Sequence, residues 1–447
     1  MKKHMKRLGK LLATLTALLL TTILFGACGK KDAVGRVYLL NFKPEIDAQW
    51  KEVINQFSAE TGIEAKVVTA ASGTYEQTLR SEITKSDPPT LFNINGPIGY
   101  LNWKTYTADL KDTDVYSWLS DKSMAISIDG GVYGLPYAVE TYGIIYNDAI
   151  FRKYFALPDR AVTDISSAAQ INNFAALKAV VEDMTVRKFD LGIDGVFAST
   201  SFRPGEDWRW HTHLANLPIY YEYRDKGVGD LDKIDLTYGP QYHNIFDLYI
   251  NNSVTDPKMI GSKSVDDSMS EFALGKASMV QNGTWGWGQI AGIAGNVVQA
   301  SDVKYLPIYT GVRGEEAQGL CTGTENFICV NVKASKASQE ASLKLLEWLF
   351  NTPSGKKAAV EKLGFVTPFS TFGADELPDN PLEKEAFRFM SNPNLSAVSW
   401  NFTSFPSQAF KDDLGASLYD YALGNKSWDD VTAVFKNKWA EEKALLK

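Results

Sequence analysis

The sequence predicts an α/β protein of two or three domains folded as one body, and three observations carry that expectation. The chain has 447 residues, 45% hydrophobic and 22% charged, enough to bury a large core or two. Its opening alternates strand, helix and strand. VYLLNF (37–42) is a short apolar run. Ile46, Trp50, Val53, Ile54 and Phe57 follow at helical spacing, Thr61-Gly62 stops the helix, and IEAKVV (63–68) is again strand-like. Such a βαβ unit points to a parallel sheet. Finally, no Pro- or Ser-rich linker follows residue 36, so the domains are expected to be joined by short crossings.

Residues 1–27 stand apart. Lys2, Lys3, Lys6, Arg7 and Lys10 precede the apolar run LLATLTALLLTTIL (11–24). As a helix that run reaches about 21 Å, short of the roughly 30 Å hydrocarbon core. It is therefore expected to be an export signal and not a lasting membrane span. Its end, LFGAC (24–28), resembles the bacterial lipobox, with Phe25 departing from the aliphatic residue usual there. The resemblance implies lipid on Cys28, a polar tether over 28–36, and anchoring at the outer face of the bacterial cytoplasmic membrane. Losing 1–27 removes five positive charges and no acid from a chain whose net charge is −7. So acidic a protein is not expected to bind nucleic acid, which is held by Lys and Arg neutralising phosphates.

Further elements follow in order. LFNIN (91–95) is a strand ending in Asn95-Gly96-Pro97. GGVYGLPYAVETYGIIYND (130–148) is a turn and two strands, and FAALKAVVEDM (174–184) is a helix. EASLKLLEWLF (340–350) is an amphipathic helix closed by Asn-Thr-Pro-Ser-Gly, with Trp348 extending its apolar face and Lys356-Lys357 on a solvated face. Residues 406–445 are mostly helical. Ligands of open α/β sheets sit off the carboxyl ends of the strands, which puts Phe42, Lys43 and Glu45 at a site edge. Cys321 and Cys329 admit two readings in an oxidising compartment, a disulfide or two inert thiols.

Enzyme signatures are missing. There is no GxSxG elbow, P-loop or HExxH. Of four histidines, only His211 and His213 in WRWHTH are close in sequence, and no third ligand completes a metal set. No metal and no cofactor are expected. A glycosidase would need two facing carboxyl groups, which sequence alone does not locate.

Three motifs occur in order: DGGVYGLPYAVETYGIIYND (129–148), FALGKASMVQNGTWGW (272–287) and LLEWLFNTPSGKKAAVEKLGFVTP (345–368). Together they resemble the carbohydrate-binding extracellular solute-binding proteins of ABC importers, the group containing the maltodextrin-binding proteins. The resemblance covers the whole mature chain. It implies two α/β lobes hinged about a cleft, a monomer that binds a carbohydrate between them, and delivery to membrane permease subunits. It places 37–139 and 325–367 in an N-terminal lobe, and 140–324 and 368–447 in a C-terminal lobe.

Site residues follow from the same resemblance. Glu140 matches the family's cleft Glu, and Trp285 matches the aromatic after Asn-Gly, whose indole stacks on a pyranose. Trp287 points the same way if the stretch is extended and elsewhere if it is helical. Glu45 lies near an acidic cleft position. Asn95 ends a strand in a second contact region, where NINGPIGY lacks the family's charged pair. Trp400, in VSWNFTSFP, stands where a further cleft aromatic is often supplied, with Phe405 behind it. EDWRW (206–210) is this chain's own feature: Asp207, Trp208 and Trp210 form either a second stacking wall or part of a lobe core. Two other functions remain to be separated from sugar capture. An exported glycan-cleaving enzyme would show a facing carboxyl pair, and a receptor for a non-sugar solute such as a polyamine would show several acids around an aromatic box.

Overall fold

The computed structural model describes residues 35–446 except Ser72, Thr200 and Ala374. The expected export signal, Cys28 and the tether up to residue 34 lie outside the described residues. Among the described residues, twelve strands form two sheets. They are β1 Val37–Asn41, β2 Ala65–Thr69, β3 Leu91–Asn95, β4 Ile126–Ile128, β5 Gly131–Pro136, β6 Glu140–Asn147, β7 Gly195–Phe197, β8 Ala277–Gly283, β9 Val303–Leu306, β10 Gln318–Gly323, β11 Asn326–Val330 and β12 Ser396–Ser399.

The first sheet runs β2-β1-β3-β11-β5-β4 and the second β12-β10-β6-β8-β7, with β9 added to β6. The βαβ opening is parallel, β1 lying between β2 and β3. Beyond it the expectation of a parallel sheet needs correction. β11 is antiparallel to β3 and to β5, and β6 is antiparallel to β8, β9 and β10. The physical reason is the chain's path. It leaves the first sheet after Pro136, enters the second at Glu140, and returns between Gly323 and Asn326. The strands that carry the chain out, β5 and β6, therefore run opposite to those that bring it back, β11 and β10, so β5 pairs antiparallel with β11 and β6 with β10.

Local sequence accounts for the helices that flank the sheets. Helix Asp47–Thr61 buries Trp50, Val53, Ile54 and Phe57 along one face and stops at Gly62, whose φ of 72° suits glycine. Helix Lys336–Asn351 is capped by Ser335 and buries Leu345, Leu346, Trp348, Leu349 and Phe350. Trp348 meets Phe57 edge-on at 5.7 Å and donates its Nε1–H to Glu60 at 2.7 Å. The C-terminal helices Gln408–Ala422 and Trp428–Ala444 pack on the second lobe, where Phe410, Phe435 and Trp439 meet edge to face or stacked.

Three sequence expectations resolve here. Trp210 is a core residue and not a cleft wall: it is 1% exposed and stacks on Phe202 at 4.8 Å. The local backbone explains it, since Arg209–Leu214 winds as a π-helix that turns Trp210 inward. Cys321 and Cys329 are free, buried thiols, one in each sheet, and burial pushes the Cys321 thiol up to about 12. Lys356 does not share a solvated face with Lys357. It is half-buried, pairs with Glu376 at 2.7 Å and donates to the Thr371 carbonyl at 2.6 Å, whereas Lys357 stays 70% exposed.

Candidate functional site between the lobes

The Trp-bearing loop is built from its ends. Phe272, Ala277 and Met279 are fully buried and fix the approach through β8. At Gly283 the chain leaves the sheet, and a Cβ there would overlap the Trp285 ring. Glycine is required because the indole folds back over its own backbone. Thr284–Gly286 makes one tight turn and Trp287–Ala291 a short helix. Trp285 and Trp287 therefore diverge. Trp285 meets His213 at 5.7 Å, Trp208 at 6.3 Å and Trp400 at 6.4 Å. Trp287 packs on the cluster containing Met269, Phe272 and Ile290.

His213 holds this aromatic wall together. It stacks on Tyr142 at 4.2 Å and on Phe402 at 5.4 Å, and meets Trp208 edge-on at 4.7 Å. Burial pushes it well below the usual histidine range, so it sits in the wall as a neutral ring. Trp400 completes the wall, 4.8 Å from Phe402 and 5.4 Å from Tyr142. A Cβ on Gly323 would come within 2.7 Å of it, so a small residue at the end of β10 makes its room.

From the opposite lobe comes Lys43, just after β1. Its ammonium donates to Glu140 at 2.5 Å, lies 3.7 Å from Glu45 and sits 5.8 Å over the Trp285 ring. The Lys43 and Glu140 side chains are only 7% and 14% exposed. Burial works to lower the Lys43 ammonium, but Glu140 and Glu45 outweigh it and hold Lys43 above its ordinary range. Glu140, at the start of β6, thus ties the first crossing to the end of β1.

These groups line a cavity of about 710 Å³ between the lobes, within the usual size of small-ligand sites. Lys43, Glu45, Glu140, Trp285 and Trp287 face one part of it, with Asn380 and Glu383 beside them. The 353–366 stretch, including Lys356, Lys362 and Phe365, forms the far side. Glu383 is 7% exposed, and burial pushes its carboxyl up to about 8. A raised carboxyl is also what a general acid would show. Here, however, Glu140 is tied to Lys43.

The structure brings four of the expected site residues to the cavity, Glu45, Glu140, Trp285 and Trp287, and leaves the others off its lining. Phe42 packs edge-on against Tyr75 at 5.2 Å. Asn95 donates through Nδ2 to Glu325 at 2.9 Å, and Glu325 lies 3.7 Å from Lys411 in the other lobe. Asp207 turns toward His211, 3.5 Å away, and against Gly415. Trp208 and Trp400 stand behind Trp285. The lobes themselves meet at loops flanking these two residues: Gly73 abuts Gly205, and a Cβ on Gly96 would lie 2.6 Å from Thr403. Glu383 and Asn380 were missed because they enter from a helix remote in sequence, with no motif around them. Lys356 carried only the signal of a charged pair, which suggested solvent.

Comparison with known proteins places this geometry. The sequence model for bacterial extracellular solute-binding proteins matches residues 52–385. Solved structures of similar fold include a chitin oligosaccharide binding protein (TM-score 0.69, 14% identity, 92% of this chain and 100% of that one). Another is the GacH receptor of Streptomyces glaucescens, described unliganded and with acarbose (0.67, 17%, 92% and 99%). A third is RafE in complex with raffinose (0.67, 16%, 91% and 99%). The family and these neighbours are binding proteins and not enzymes. With a family match over most of its length and two sheets joined by short crossings around a lined cavity, the chain belongs to the bacterial extracellular solute-binding proteins.

Proposed function

We propose that the protein captures a sugar or oligosaccharide in the cavity between its lobes and delivers it to the permease of an ABC importer. In this reading it is anchored outside the cytoplasmic membrane by lipid on Cys28. The observation that carries the reading is the cavity of about 710 Å³ lined by Trp285 and Trp287 together with Glu45, Glu140, Asn380 and Gln289. An indole face receives the C–H face of a pyranose, and carboxylates and amides accept or donate to its hydroxyls. Neighbours of the same fold bound to raffinose or acarbose support the ligand class.

Capture is a closure. The lobes, taken as 37–139 with 325–367 and 140–324 with 368–447, rotate about the crossings near Glu140, Gly323 and Val366. Sugar drives the motion only by bonding better to the closed form, since equal binding to both forms shifts nothing. The lipid anchor keeps the receptor near its permease. Behind Trp285, Trp208 and Trp400 serve as backing, with Phe42, Asn95 and Asp207 as outer supports of the closed cleft.

A thermal-shift screen against a panel of neutral and substituted oligosaccharides tests the reading. A ligand at 100 times its Kd adds about 2.7 kcal/mol of stability. A shift from one glycan class supports sugar capture, and no shift from any glycan, beside a shift from peptides, would overturn it.

A further inference from the structure

Of the acids that line the cavity, Glu383 is the buried one without an ion-pair partner among the described residues. Lys43 is shared by Glu45 and Glu140. Lys356 pairs with Glu376 at 2.7 Å, Lys362 reaches Glu52 at 3.4 Å and Lys357 reaches Glu361 at 3.8 Å. On the helix that carries Glu383, Lys384 turns to Asp379 at 2.5 Å, while Arg388 and Lys304 are both taken by Glu385, each at 2.9 Å. No cation among the described residues lies within ion-pair distance of Glu383, although its side chain lines the cavity and is nine-tenths buried. Thr284 is its near polar neighbour, and Glu140 and Lys43 are the nearest charges across the space.

The position is held on purpose by the backbone. Asn380 caps helix Pro381–Met390 and donates through Nδ2 to the Thr284 carbonyl at 2.8 Å, which fixes the helix against the turn bearing Trp285. Glu383 thus faces the same space as the indoles of Trp285 and Trp287. A buried carboxyl without a cation must stay protonated or receive one. Indole faces attract cations, and a charge-assisted hydrogen bond is about twice as strong as a neutral one. A plain hydroxyl would make only neutral bonds with the protonated acid, so it gains nothing from this arrangement that a Gln would not give.

We infer that the cavity selects a sugar bearing a free amino group, whose ammonium seats on Glu383 beside Trp285 and Trp287. The inference rests on the sugar reading above and narrows it. Binding then exchanges a proton for an ammonium: the Glu383 carboxyl loses its proton to solvent as the N–H donors of the ligand engage it.

The test is titration calorimetry of the mature protein with glucosamine and galactosamine, each as monomer and oligomer, beside their N-acetylated counterparts and spermidine. At pH 6.5 amines of α-amino character are protonated and Glu383 is not ionised. Repeating the titration in two buffers of different ionisation enthalpy counts protons. The expected result is at least tenfold tighter binding of one amino sugar than of its N-acetylated form, with release of roughly one proton. In Glu383→Gln the preference should fall to near unity and the proton release vanish. Equal binding of amino and N-acetyl forms, or an undiminished preference in Glu383→Gln, overturns the inference and leaves sugar capture standing. Binding of spermidine with no response to any sugar overturns both.

Discussion

Glu383 should make the protein lose stability as pH rises, and Glu383→Gln should remove that loss. The carboxyl is raised by burial to about 8, with Glu140 adding to the rise and Lys43 opposing it. Below the unfolded pKa, near 4.3, both states are protonated and the group is silent. Between there and 8 the unfolded chain ionises while the folded one keeps its proton. The folded state then binds more protons, so stability falls as pH rises and levels off above the folded pKa. At about 1.4 kcal/mol per unit, the fall is on the order of 4 kcal/mol by pH 7 and 5 kcal/mol by pH 9. Gln keeps the shape and carries no titration. Urea denaturation of both proteins at pH 4.5 and pH 9, followed by circular dichroism, gives the difference directly. The variant should be about as stable as the parent at pH 4.5 and clearly more stable at pH 9. If the two proteins show the same dependence on pH, Glu383 is not the buried, uncompensated acid described.

Two other perturbations address the crossing and the closure. Lys43→Met leaves Glu140 and Glu45 sharing a half-buried space without a cation, and should cost about 3 kcal/mol at pH 7. The cost should shrink toward pH 4 as Glu140, whose carboxyl burial raises, takes a proton; denaturation midpoints at the two pH values decide it, and a cost independent of pH counts against the pairing. Thr403→Tyr places a wedge against Gly96, where even a Cβ finds Thr403 at 2.6 Å. If binding needs the lobes together, its affinity for a ligand found by thermal shift should fall tenfold or more in calorimetry while unfolding changes by less than about 1 kcal/mol. Unchanged affinity would separate binding from closure.

Elements with a local cause were legible in the sequence. The periodic Trp50, Val53, Ile54 and Phe57 made a helix because packing and period agree, and the glycine after it made its end. What was not legible depended on contacts between distant segments. Trp208 and Trp210 are two residues apart and identical in type, yet a π-helix sends one to the aromatic wall and the other into the core. Lys43 gains its role only where β1 and β6 meet, and Glu383 only where a helix near residue 380 docks on the Trp285 turn. The antiparallel pairs arose because the strands that leave the first sheet run opposite to those that return to it, a property of the chain's path and not of any strand's composition.

Calorimetry of Trp285→Ala beside the parent protein, with the glycan that gives the largest thermal shift, tests sugar capture most directly. Trp285 faces the cavity with one side and meets Trp208, His213 and Trp400 with the other. The account predicts at least tenfold weaker binding, about 1.4 kcal/mol, with a stability loss below the roughly 3–5 kcal/mol of a fully buried tryptophan. An unchanged Kd, with the stability loss of a core residue, would contradict it.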